Sequence, residues 1–123
     1  MDKTLKAVTI GDINGIGIRL LINLWKFKRK KIGRFILISN YKLFKRYVEK
    51  NNIDLSYLRI NNLSDNKNVF DKYLPIFDIK ADNNIFNTYN SIKNAYFLTK
   101  RNTCSALITL PINKEKIIKK IDK

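Results

Sequence analysis

The order of apolar segments predicts a three-layer α/β fold, with a mainly parallel sheet covered by helices on both faces. Three observations predict it. Short apolar runs at residues 5–10, 35–38 and 106–109 have the length and the branched side chains of buried strands. Segments of helical period at residues 16–27, 41–50 and 85–100 alternate with them, which implies crossover connections between parallel strands. No internal repeat and no Pro-, Gly- or Ser-rich linker interrupts residues 1–123, so a single domain is expected, and a chain this long buries roughly two-thirds of its unfolded surface.

The first strand, residues 5–10, ends at Gly11. In the helix that follows, Ile16, Leu20, Leu24 and Phe27 recur at helical spacing, with Leu21 and Trp25 widening the apolar face. Gly33 suits the end of that helix. After the second strand, Asn40 is placed to cap a helix whose inner face is Leu43, Phe44, Tyr47 and Val48. Residues 53–60 read as a strand and residues 61–68 as polar loop. Residues 74–79 read as an edge strand, because Pro75 has no N–H for a central ladder. A long helix follows, with Ile85, Tyr89, Ile92 and Tyr96 stepping by four, three and four. The strand at residues 106–109 leads through Leu110-Pro111-Ile112-Asn113 into a last helix from Lys114. Cys104 is expected to be buried at a strand entry, and most Tyr and Phe residues to be core.

Composition narrows the chemistry. The net charge is +15, but the chain has 19 Lys, 19 Ile and 16 Asn against 4 Ala and 4 Gly. That is the pattern left by A/T-rich codons, so compositional drift accounts for the basic balance without a nucleic-acid surface. There is no histidine, which excludes imidazole acid–base work and Ser-His-Asp or Cys-His mechanisms within these residues. A single cysteine excludes an internal disulfide. No apolar run reaches the roughly 18–20 residues that span a bilayer, and the expected location is the cytoplasm with no membrane partner.

Two segments fall where open parallel sheets gather ligands, at the carboxyl ends of strands. The first is Gly11-Asp12-Ile13-Asn14-Gly15-Ile16-Gly17. Glycines there allow positive φ and close backbone approach, and a helix start offers unpaired N–H groups to an anion. Its G-x-x-x-G-x-G spacing is neither the dinucleotide fingerprint nor a P-loop, and a tight strand-to-helix turn needs the same glycines. The second is Thr109-Leu110-Pro111-Ile112-Asn113-Lys114-Glu115, where Thr109 and Asn113 can bond a ligand or cap a helix and Lys114 can meet a phosphate or carboxylate. Gly11, Asp12, Asn14, Gly15, Gly17, Thr109, Asn113 and Lys114 are the candidate ligand-proximal residues; none is assigned a catalytic or metal-binding role.

The two segments carry a resemblance. Gly11-Asp12-Ile13-Asn14-Gly15-Ile16-Gly17 resembles the G-D-x-x-G-I-G opening of the 4-hydroxythreonine-4-phosphate dehydrogenase family, in a form like that of its epsilonproteobacterial members. Residues 107–115 are similar to that family's (L/I)-(V/I)-T-x-P-(I/V)-N-K-E segment. The resemblance implies an isocitrate/isopropylmalate-dehydrogenase-like α/β/α fold, a homodimer, and NAD-dependent oxidation of a phosphorylated amino acid, 4-phosphooxy-L-threonine. Decarboxylation to 3-amino-2-oxopropyl phosphate follows, a step of pyridoxal phosphate biosynthesis. It also implies a divalent metal (Zn, Mg or Co) as Lewis acid.

The family is more than twice as long, and its Gly-His-Thr segment and metal-binding histidines have no counterpart in residues 1–123. The chain is therefore expected to be an incomplete, N-terminal portion of such an enzyme, inactive alone and prone to aggregate through uncovered apolar surface. Arg19 stands where the family usually has an acid, reversing a charge in a first helical turn, where a cation costs a few tenths to about 1 kcal/mol. The alternative expectation is a small basic α/β module that binds nucleic acid or phosphate without catalysis. It is the weaker one, since lysines and aromatics do not interleave in a recognisable nucleic-acid motif.

Overall fold

The computed structural model describes residues 5–63, 67–101 and 103–111. The strands are β1 (Lys6–Thr9), β2 (Phe35–Ser39), β3 (Tyr57–Ile60), β4 (Leu74–Asp78) and β5 (Ala106–Thr109). All pair in parallel, in the order β3-β4-β2-β1-β5. Among the described residues there are four helices: α1 (Ile16–Lys28), α2 (Tyr41–Lys50), α3 (Lys67–Lys72) and α4 (Asn84–Lys100). The fold is α/β, as the alternating pattern predicts.

Two cores lie on opposite faces of the sheet. On one face Val8, Leu37, Leu74 and Ile76 meet Ile18, Leu21, Ile22 and Trp25 of α1, Phe44 and Tyr47 of α2, and Phe70 of α3. On the other, Leu5, Ala7, Ile36 and Ile38 meet Ala95 of α4 and Cys104. Alternate residues of β2 feed the two cores, which is why its five residues are all buried. Each fully buried Leu, Ile or Phe contributes about 1.5–3 kcal/mol.

Helix α2 matches its sequence. The Asn40 side chain accepts a hydrogen bond from the Leu43 N–H at 3.1 Å, and Leu43, Phe44, Tyr47 and Val48 are its buried residues. Helix α1 does not. Its Ile16, Leu20, Leu24 and Phe27 row is exposed, and the buried row is Gly17, Ile18, Leu21, Ile22 and Trp25. The helix is apolar on most sides, so periodicity alone could not choose. The packing chooses the side where Gly17 allows close approach and where the Trp25 indole N–H reaches the Phe70 carbonyl at 2.9 Å.

Helix α4 departs in the same way. It buries Asn87, Thr88, Ser91 and Ala95 rather than Ile85, Tyr89, Ile92 and Tyr96, and Tyr96 is exposed. The buried polar groups all have partners at strand ends. Ser91 Oγ accepts from the Ile10 N–H at 2.9 Å and donates to the Ile38 carbonyl at 2.6 Å. Asn87 Oδ1 accepts from the Asn40 N–H at 2.7 Å, and its amide donates to Ser39 Oγ at 3.0 Å. These satisfied bonds remove the penalty of burial that makes polar residues read as surface.

Other boundaries also shift. Strand β4 is not an edge strand; it lies between β3 and β2. Pro75 is tolerated because Leu74 donates to Ser56 on the β3 side at 2.9 Å, which turns the proline nitrogen toward β2. Pairing with β2 starts only at Leu37↔Ile76. Helix α1 ends at Lys28, before Gly33, with Arg29 as a right-handed C-cap. Strand β3 begins at Tyr57, and α3 occupies part of the expected loop. Phe27, Tyr73, Tyr96 and Phe97 are exposed and so do not join the core. The helix expected from Lys114 lies outside the described residues.

Candidate functional site

Strands β1 and β5 are neighbours in parallel register, Thr9 opposite Thr109, so the segments that follow them emerge side by side at one edge of the sheet. They touch. The Asp12 N–H donates to the Pro111 carbonyl at 2.8 Å. A Cβ added to Gly11 would lie 2.3 Å from that same oxygen, and one added to Gly17 would lie 2.7 Å from Pro111 Cδ. Glycine at these two positions is what lets the second segment pack into the first. The use expected for positive φ is not realised: no described glycine has φ in the left-handed region.

Within the first loop Asp12 organises the turn. Its Oδ1 accepts from the Asn14 N–H at 3.0 Å and its carbonyl accepts from the Gly15 N–H at 2.9 Å. The Thr88 hydroxyl of α4 donates to the Gly11 carbonyl at 3.0 Å and so fixes the loop from the opposite layer. Gly15 is the N-cap of α1, without a side-chain cap and with no acid in the first turn. The first-turn N–H groups of α1 therefore keep their capacity for an anion.

Of the candidate residues, the structure brings Gly11, Asp12 and Gly17 against Leu110 and Pro111. Asn14 is exposed at the loop tip and Thr109 is exposed on β5. Asn113 and Lys114 lie outside the described residues. The space that Gly11 and Gly17 leave is filled by the chain's own Pro111, so that side of the loop does not fit a dinucleotide pyrophosphate. The Asn14 and Gly15 side remains open to a cleft.

That cleft is the feature the sequence reading missed. It has a volume of about 230 Å³, and lies between the α1 start and α2, with Arg19, Arg46, Tyr47, Lys50, Asn51 and Asn84 in its wall. Arg19 spans it, donating to Asn51 Oδ1 at 3.3 Å. Burial raises the Tyr47 phenol above its ordinary pKa, while the charge and hydrogen bond of Arg19 pull it down. The signal for this cleft was present in the sequence as Arg46 and Lys50, four apart along one helix.

Elsewhere the chemistry is sparse. Cys104 is buried and burial pushes its thiol up to about 11, so it is not an activated nucleophile. Among the described residues no group of three or more His, Cys, Asp or Glu is placed to hold a metal ion, so these residues do not fit the divalent metal that the resemblance implies. No described helix is long and apolar enough to cross a membrane.

Fold and loops together define a parallel α/β domain with its candidate binding elements at the strand carboxyl ends. No protein-family model matches the chain, and no curated protein gives a significant match to it.

Proposed function

We propose that this chain is the N-terminal α/β portion of an NAD-dependent dehydrogenase resembling 4-hydroxythreonine-4-phosphate dehydrogenase. One observation carries the reading: the two segments that bear the resemblance, 98 positions apart at Gly11 and Thr109, follow neighbouring parallel strands and are joined at Asp12 and Pro111. The complete enzyme would act as a homodimer on 4-phosphooxy-L-threonine with NAD. These residues would contribute one wall of the active-site crevice. The chain has no histidine, and no metal-ligand group is found among its described residues, so no imidazole acid–base step and no Lewis-acid step is assigned to these residues.

Reconstitution tests it. The purified chain, NAD, a divalent metal and 4-phosphooxy-L-threonine should give no NADH absorbance. Adding a polypeptide that holds the family's remaining portion, from its Gly-His-Thr segment onward, should restore reduction. The reading fails if that polypeptide is activated by its own N-terminal portion but not by this chain. A second reading, a basic α/β module that binds phosphate or nucleic acid without catalysis, draws support from the cationic cleft beside α2. It would appear as affinity for RNA or DNA that falls steeply with salt.

A further inference from the structure

The wall of the cleft between α1 and α2 is cationic. Arg19, Arg46 and Lys50 line it, and none of its described lining residues is Asp or Glu. Asp78 and Asp82 line a separate hollow that Arg46 also borders. Two placements oppose local stability. Arg19 sits in the first turn of α1, at the positive end of that helix dipole. Arg46 and Lys50 are four apart on α2, with Lys42 four before Arg46, so like charges stack on one helical row. Glu49, the one acid of α2, is not in the cleft wall. Lys50 in the last turn complements the dipole of α2, and Arg46 lies three residues before Glu49, whereas Arg19 donates to the neutral Asn51. Lysine is abundant in this composition, whereas the chain has only six arginines, and two of them converge here.

We propose that this cleft is an anion site that takes the phosphate or diphosphate group of a small phosphorylated ligand, held by Arg19, Arg46 and Lys50 and by the first-turn N–H groups of α1. The inference does not rest on the dehydrogenase reading. An anion between the two helices offsets both unfavourable placements at once and supplies acceptors to guanidinium donors. The starts of two helices contribute: Gly15, the N-cap of α1, and Asn84, the first residue of α4, both line the cleft. Arg19 is already oriented by Asn51, whose own amide donates to the Tyr47 carbonyl at 2.9 Å. At about 230 Å³ the space is smaller than the roughly 300–1,000 Å³ of sites that enclose whole drug-sized ligands. It suits a phosphoryl group, with the rest of the ligand extending into solvent.

Calorimetry on the whole chain with inorganic pyrophosphate and with ADP tests the site. Wild-type protein should bind pyrophosphate saturably, and Arg46→Glu/Lys50→Glu should weaken this by at least about tenfold, because two charge-assisted contacts become repulsive. Both side chains are exposed, so the fold is kept, which Trp25 emission will check. Lys93→Glu, on the exposed side of α4, changes net charge by the same sign and should leave binding within about twofold. ADP bound more tightly than pyrophosphate would indicate a nucleotide, and equal binding a bare diphosphate group; either supports the site. Absence of saturable binding, or equal loss in Lys93→Glu, overturns it.

Discussion

Gly11 and Pro111 are in backbone contact: a Cβ on Gly11 would stand 2.3 Å from the Pro111 carbonyl oxygen and 2.9 Å from the Leu110 carbonyl carbon. The obstacle is main chain, which cannot rotate away as a side chain would. Gly11→Ala must therefore push the two segments apart and break the Asp12 to Pro111 hydrogen bond. A loss of about 1–3 kcal/mol is expected, the range of an overpacked core. Urea unfolding followed by Trp25 fluorescence measures it. An unchanged midpoint would show that the contact between the segments is dispensable.

The same contact shows what the sequence could and could not say. The strand and helix alternation was legible because β1 and β2 are short apolar runs in the buried middle of the sheet. The strand at residues 106–109 was expected to be buried, but β5 is the sheet edge and Leu107, Ile108 and Thr109 are exposed. The capped helix α2 was legible because Asn40 and a clean apolar row agree. Helices α1 and α4 were misread in orientation for opposite reasons. In α1 two apolar rows compete, and Gly17 and Trp25 decide between them. In α4 the buried row is polar, because strand-end N–H and carbonyl groups provide its partners. Loop positions were found from glycine spacing, but the role of those glycines was not, since it depends on a segment almost a hundred residues away.

Ser91 should prove one of the most costly single truncations on α4. Its hydroxyl bridges the ends of β1 and β2 by accepting from Ile10 and donating to Ile38, and it is fully buried. Ser91→Ala leaves the Ile38 carbonyl without that donor and weakens the pairing of the Ile10 N–H. About 1–3 kcal/mol should be lost. Asn90→Ala, one position earlier, removes an exposed bond to the Lys80 carbonyl and should stay within about 0.5 kcal/mol. Equal urea midpoints for the two variants would contradict the bridging role.

The exposed row of α1 should limit solubility. Ile16 is 75% exposed, Leu20 57%, Leu24 46% and Phe27 73%, and Ile108 of β5 lies beside them at 42%. Water in contact with such a contiguous apolar patch favours its removal by self-association. Leu20→Lys/Phe27→Lys should raise the concentration at which light scattering first appears, without lowering the urea midpoint, since neither side chain is core. Scattering onset at the same concentration in both proteins would mean that another surface drives aggregation.

Cys104 should give the fold a recognisable alkaline limb. Burial raises its thiol from the ordinary 9.0 to about 11. The folded chain therefore holds this proton more tightly than the unfolded chain does. The associated stability is complete below pH 9 and is lost as pH rises toward 11, where the unfolded thiol ionises first. Tyr47 and Tyr57, also raised by burial, act in the same direction at higher pH. Comparison with Cys104→Ala separates the contributions: the variant starts from a lower midpoint, having lost buried volume, but its midpoint should fall less between pH 9 and 11. Iodoacetamide at pH 8 should label native Cys104 far more slowly than the urea-unfolded chain. Parallel midpoint curves for the two proteins, or equal labelling rates in native and unfolded chain, would place the thiol in water rather than beneath α4.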